Sequence, residues 1–155
     1  MPNHQFPLYF HEIYSTGLDR TARFPVDRYQ LLAKKLSVYD EKKLLSWQTP
    51  RLANQQEIQL VHEKDYVERF FNHQLTEKEI RRIGLRPWKE AIVERTLRLT
   101  GGALQALEQV LVYGHTMAGN MAGGTHHAFR KEGAGYCISV SYTHLTLRRS
   151  SQCRS

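Results

Sequence analysis

From Pro87-Trp88 to about Tyr113 the chain carries one long amphipathic segment, in which Ile92, Leu97, Leu99, Leu104, Leu107 and Leu111 recur near helical spacing. A helix with one apolar face must bury that face against another layer, which limits the possible architectures to a few. Gly114 ends the segment, and the run Thr116–Met121 that follows reads as a buried strand. The same alternation holds upstream, where Phe6–Phe10 reads as a first strand and Leu44–Trp47 as a second strand before the Pro50 turn. Helices alternating with short apolar strands predict an α/β fold with a parallel sheet. In such sheets ligands bind beyond the carboxyl ends of the strands.

Local signals place the intervening elements. His11 to Phe24 reads as a loop, and Pro25 suits the first position of a helix, where its missing N–H costs nothing. Tyr29, Leu32 and Leu36, joined by Leu31, are predicted as that helix's apolar face. Asn54 with Glu57 forms a capping-box pattern that launches Ile58 to Val61. A helix from about Lys64 to Asn72 is predicted to bury Tyr66, Val67, Phe70 and Phe71. Thr76 with Glu79 opens a short helix that Gly84 ends. Gly101-Gly102, inside the long segment, costs about 1 kcal/mol per glycine relative to alanine. The pair therefore marks either close packing on a neighbour or a break between two helices.

The third predicted strand leads into Ala122-Gly123-Gly124-Thr125-His126-His127-Ala128-Phe129, followed by Gly133-Ala134-Gly135-Tyr136-Cys137. Two adjacent histidines supply two bases that titrate near neutral pH, on a loop whose glycines permit sharp bends and close approach. General acid/base chemistry needs one imidazole to take a proton and a neighbour to tune it. A bare His-His pair is also compatible with an ordinary surface turn. The flanking glycines and the apolar Tyr136-Cys137-Ile138 favour the wall of a narrow pocket.

These residues resemble the active-site loops of the histone deacetylase superfamily, in the bacterial and class IV-like branch that includes acetoin-utilisation-type deacetylases. Three further segments are similar to the same branch. Arg23-Phe24-Pro25-Val26-Asp27-Arg28-Tyr29-Gln30-Leu31-Leu32 resembles the start of its first helix, and Leu60-Val61-His62-Glu63-Lys64-Asp65-Tyr66-Val67 its Val-His-x-x-x-Tyr helix. Ile80 to Leu85 with Pro87-Trp88 resembles the next helix and linker. The resemblance covers most of residues 6 to 138. It implies a three-layer αβα arginase/deacetylase-like fold with a mainly parallel sheet, present here as its truncated N-terminal part (1–138).

It also implies an amide hydrolase that removes acetyl or other acyl groups from lysine or small amines. A divalent metal, usually zinc, would polarise the carbonyl and acidify a bound water. On the family pattern His127 is the general base and then general acid, and His126 orients water and stabilises charge. Gly135 and Tyr136 match positions lining the acyl-lysine tunnel, with Tyr136 in place of the commoner Phe. Cys137 matches a cysteine close to the metal and reads equally as a small buried hydrophobe. No metal ligand is assigned within this chain, because the family's Asp, His and Asp ligands follow Cys137. His62 is read as orienting a loop, not as catalytic.

After Ile138 the family pattern stops. Ser139 to Leu147 resembles a translated sequencing adapter, and the tail through Ser155 lacks a buried face. Residues 139–155 are therefore expected to be spurious, poorly packed and without a functional role, leaving an inactive fragment. His144 lies in this tail, with Tyr142 where an Asp-x-His ligand pair would need aspartate. A non-catalytic binding protein on the same fold, or an arginase-like metal hydrolase, are the other readings.

Composition narrows the partners. The formal charge of +7 comes from 22 Lys+Arg against 15 Asp+Glu. Arg148, Arg149 and Arg154 lie in the tail, so 19 bases face 15 acids in the remainder, an excess of +4. The bases sit on helical segments mixed with glutamate and read as solvated faces. No clustered basic stripe calls for nucleic acid. Of the two cysteines, Cys137 and Cys153, only the first lies outside the tail, which suits a reducing compartment. No secretory leader is evident, and no apolar run reaches the roughly 20 residues of a spanning helix. A cytoplasmic protein is expected, acting on an acetylated lysine or small amine and on neither nucleic acid nor membrane.

Overall fold

A computed structural model describes residues 5–21 and 23–140. Three parallel strands, β1 (Phe6–Tyr9), β2 (Leu45–Gln48) and β3 (Gly119–Asn120), form a sheet in the order β2-β1-β3. Leu8 and Tyr9 are buried, as a central parallel strand requires. Pro7 lacks an N–H, yet it sits in this central strand. The amides of Phe6 and Phe10 bond the β2 side, to Leu44 O and Gln48 O, so residue 7 faces the other side. There β3 begins only opposite Leu8, so no ladder bond is missed.

Among the described residues the sheet is joined by the helices α1 (Arg28–Tyr39), α2 (Gln55–Gln59), α3 (Lys64–Phe71), α4 (Glu77–Ile83) and α5 (Ala91–Leu111). Both capping boxes form, at Asn54/Glu57 and Thr76/Glu79, and Gly84 closes α4 with φ 81°. The main core packs Tyr66 and Phe70 of α3 against Ile80 and Ile83 of α4, with Leu85, Ile92 and Ile138. Helix α5 crosses β1 and β3 without a break. Its two central glycines are therefore close-packing sites: a Cβ on Gly101 would lie 2.1 Å from Arg51 O, and one on Gly102 2.9 Å from Asn120 Oδ1.

Several expectations need correction. The first helix starts at Arg28, because Pro25 to Asp27 form a turn in which Arg28 N–H reaches Pro25 O. Its buried residues are Tyr29 and Ala33, whereas Leu31 and Leu32 are exposed. The reason is a 3₁₀ turn, Glu12–Tyr14, inside the segment read as loop; its buried Tyr14 packs edge-on to Tyr29 at 6.2 Å and sets the helix's rotation. The strand expected over Thr116–Met121 is confined to Gly119–Asn120, the part that β1 pairs. Ser139 and Val140, the first residues assigned to the tail, are buried at 5% and 7%, and the Ser139 hydroxyl has no hydrogen-bond partner among the described residues. The rest of that tail, with His144 and Cys153, lies outside the described residues. Among the described residues no helix is long and apolar enough to cross a membrane.

One pH effect follows from the α4 cap. Burial by itself would raise the Glu79 pKa, but the Thr76 amide and hydroxyl and the Arg69 guanidinium outweigh it and hold the carboxyl below the ordinary range. A depressed acid lends stability that is full above its unfolded pKa and is lost as pH falls through the folded one. Glu79→Gln should therefore destabilise at neutral pH and narrow the gap to the parent below about pH 4. Paired urea titrations at the two pH values read this difference.

Candidate active site

The order β2-β1-β3 makes the gap between β1 and β3 the point where the chain's crossovers diverge, and the crevice beyond their carboxyl ends is the natural ligand site. The segments leaving these two strands meet there around a cavity of about 330 Å³. Phe24, Arg28 and Tyr29 come from the first, and Gly123 to His127 from the second, with Gly135 to Ile138 as a further wall.

His126 and His127 lie on the loop that leaves β3, exposed to solvent and lining the cavity. Their rings are 4.1 Å apart between centroids and inclined by 40°. His126 Nδ1 lies 2.7 Å from Gly124 O, so that nitrogen carries a proton and donates to the carbonyl, leaving Nε2 for other work. Gly124 has φ 70°, a conformation that glycine adopts without strain and that turns its carbonyl toward the ring.

Gly135, Tyr136 and Cys137 sit on a tight hairpin, with Ala134 and Cys137 exchanging both backbone bonds at 2.9 and 2.8 Å. A Cβ on Gly135 would come 3.1 Å from the His127 ring, so the bare backbone is what lets the hairpin close on the imidazole. Tyr136 has φ 66°, unusual for a non-glycine residue. Its amide bonds Ile83 O at 2.7 Å, and its ring lies 5.2 Å from that of Phe24. Cys137 is a free, buried thiol that walls the cavity. The five residues singled out from the sequence thus border one space.

The sequence reading missed the cations of this space. Arg95, one of the bases that read as solvated faces, is 5% exposed and lines the cavity with Arg28. Burial pulls the Arg95 pKa below its ordinary range, against the pull of Tyr29 and Tyr14 in the other direction. Its Nε donates to Tyr14 O at 3.3 Å, and its guanidinium lies 5.6 Å from the Phe24 ring centroid. Arg28 donates to Tyr29 Oη at 2.6 Å and lies 5.1 Å from the same Phe24 ring. Neither arginine has a carboxylate within ion-pair distance among the described residues. The spacing held the signal, because Arg95 stands one helical turn from both Ile92 and Leu99 on the buried stripe.

Asn120 fixes where the histidine loop begins. Its Nδ2 donates to Leu99 O at 3.0 Å, and its Oδ1 lies 3.0 Å from Tyr14 Oη. Tyr14 is buried, which raises its pKa, so the phenol stays protonated and donates.

Comparison with known proteins bears on this arrangement. The sequence profile of the histone deacetylase domain matches residues 22–148. An uncharacterised protein of the cyanobacterium Picosynechococcus sp. is 39% identical over 136 residues, covering 86% of this chain and 43% of that protein. The acetoin utilization protein AcuC of Bacillus subtilis is 33% identical over 117 residues, 71% of this chain and 29% of that protein. Among solved structures, the HDA15 HD domain superposes with a TM-score of 0.74 at 15% identity, covering 92% of this chain and 42% of that one. That likeness shows the fold: helices around a parallel sheet of the deacetylase type. The chain spans less than half the length of these relatives.

Proposed function

The chain belongs to the histone deacetylase family, and we propose that its paired histidines serve the hydrolysis of an acyl amide on a lysine or a small amine. The observation that carries this reading is the close His126–His127 pair at the carboxyl edge of the sheet, lining a cavity beside Gly135 and Tyr136. His127 takes a proton from the attacking water and returns it to the leaving amine. His126, oriented by Gly124 O, positions the water and steadies the developing charge. Tyr136 and the Gly135 backbone flank the acyl-bearing arm. Hydrolysis releases a carboxylate, and the Arg28 and Arg95 guanidiniums, which have no carboxylate partner among the described residues, offer it a favourable neighbourhood.

The family is generally zinc-dependent, and a metal would supply carbonyl polarisation. Among the described residues no three His, Cys, Asp or Glu side chains come together as a metal site. A catalytic zinc takes three protein ligands, so the donor set of residues 5–140 does not fit one. The 155-residue chain by itself is accordingly expected to hold no stoichiometric zinc. Metal analysis after dialysis checks this, and one tightly bound equivalent would reassign His126 and His127 as ligands. The free Cys137 suits the cytoplasmic setting that belongs to the same proposal.

The functional test is release of carboxylate from acetyl-lysine peptides and N-acetylated small amines by the full-length protein. Turnover on either class supports hydrolysis. Binding without turnover by folded, metal-supplemented protein would make it a binding protein on a deacetylase fold.

A further inference from the structure

The segment bearing the Gly135–Cys137 motif is gripped at its two ends by residues at the start of one helix. Just past the His127 region, Arg130 O accepts from Glu63 N–H at 2.9 Å and lies 3.4 Å from His62 Nδ1. Beyond the hairpin, Ile138 O accepts from Tyr66 Oη at 2.9 Å, and Val140 N–H donates to His62 Nε2 at 3.2 Å. His62 is 1% exposed and its ring packs 5.4 Å from that of Tyr66. One imidazole therefore touches both ends of the segment that carries Gly135, Tyr136 and Cys137.

A backbone N–H can only donate, so His62 Nε2 must present its lone pair, and the ring proton belongs on Nδ1, facing the Arg130 carbonyl. We propose that His62 is a positioning residue of the site, held neutral as the Nδ1–H tautomer. By fixing Arg130 relative to Val140 it sets the hairpin against the His127 ring. Only that tautomer serves both ends: moving the proton to Nε2 turns an acceptor into a second donor facing Val140 N–H. The closeness of Gly135 to the His127 ring leaves little slack in the arrangement. The proposal deepens the reading of His126–His127 as the site, and its structural core stands apart from any turnover.

The test uses the purified 155-residue chain labelled with 15N-histidine, with His62 signals assigned by comparison with the His62→Gln variant. Long-range ring correlations in the parent chain should show a protonated Nδ1 and a lone pair on Nε2 at neutral pH. An Nε2–H tautomer or an imidazolium would overturn the proposal, whether or not any variant folds. His62→Phe keeps the ring and removes both bonds. Val140 amide exchange should rise about tenfold, the size of one hydrogen bond, and the His127 ring signals should shift. His62→Gln, whose amide can still accept from Val140 N–H, should recover both. Loss of global stability in His62→Phe with unmoved His127 signals would reduce His62 to a packing role and sink the proposal. Absence of deacylation by the full-length protein would end the functional reading but leave these signals as they are.

Discussion

On the proposed hydrolysis, His127→Ala is expected to lower turnover by about 10² to 10⁴-fold, the usual contribution of a general acid/base group. Bound metal should stay unchanged, since no third donor joins the two imidazoles among the described residues. The size of the effect follows from what remains after the substitution. His126 has Nδ1 committed to Gly124 O, so one ring nitrogen must serve alone for tasks that two rings shared. The alanine also opens the space against which Gly135 packs, so KM should rise modestly while kcat carries most of the loss. Steady-state kinetics with metal analysis on the same preparation measure both. A matching loss of metal would show that His127 is a ligand and that the proton roles are misassigned.

Gly101→Ala should be strongly destabilising for a single added methyl. Helix propensity alone favours the substitution by about 1 kcal/mol. Against that, the new Cβ would stand 2.1 Å from Arg51 O and 2.9 Å from Arg51 C, both backbone atoms. Arg51 has little freedom to retreat. Its amide bonds Gln105 Oε1 at 2.7 Å, its guanidinium pairs with Glu57 at 2.7 Å, and Ala53 N–H bonds Leu97 O at 3.0 Å. Overpacking of this kind costs about 3 kcal/mol at the upper end of its usual range, so the clash outweighs the propensity gain. Gly114→Ala is the contrast: nothing lies within 4 Å of its Cβ, and only its φ of 74° resists, at a cost of about 1 kcal/mol. Urea midpoints should therefore fall much further for Gly101→Ala than for Gly114→Ala. Equal falls would mean that α5 can shift away from the Arg51 backbone.

What the sequence determined by itself is what acts within one or two turns of chain. The boxes at Asn54/Glu57 and Thr76/Glu79, the Gly84 stop and the apolar stripe of α5 are local, because each partner lies within a few residues. The alternation of these pieces implied the parallel α/β arrangement, and the Gly-His-His and Gly-Tyr-Cys runs marked the loops that border the cavity. Only the tertiary structure decided the features that depend on distant partners. Tyr14 chose the buried face of α1, β1 set how much of Thr116–Met121 became strand, and Arg95 turned inward beneath Phe24. His62 met Arg130 and Val140 across a gap of chain that no periodicity spans. Short-range patterns reveal which face an element offers and where it ends. Which neighbour meets that face, and so which polar groups are buried together, is settled only when the layers pack.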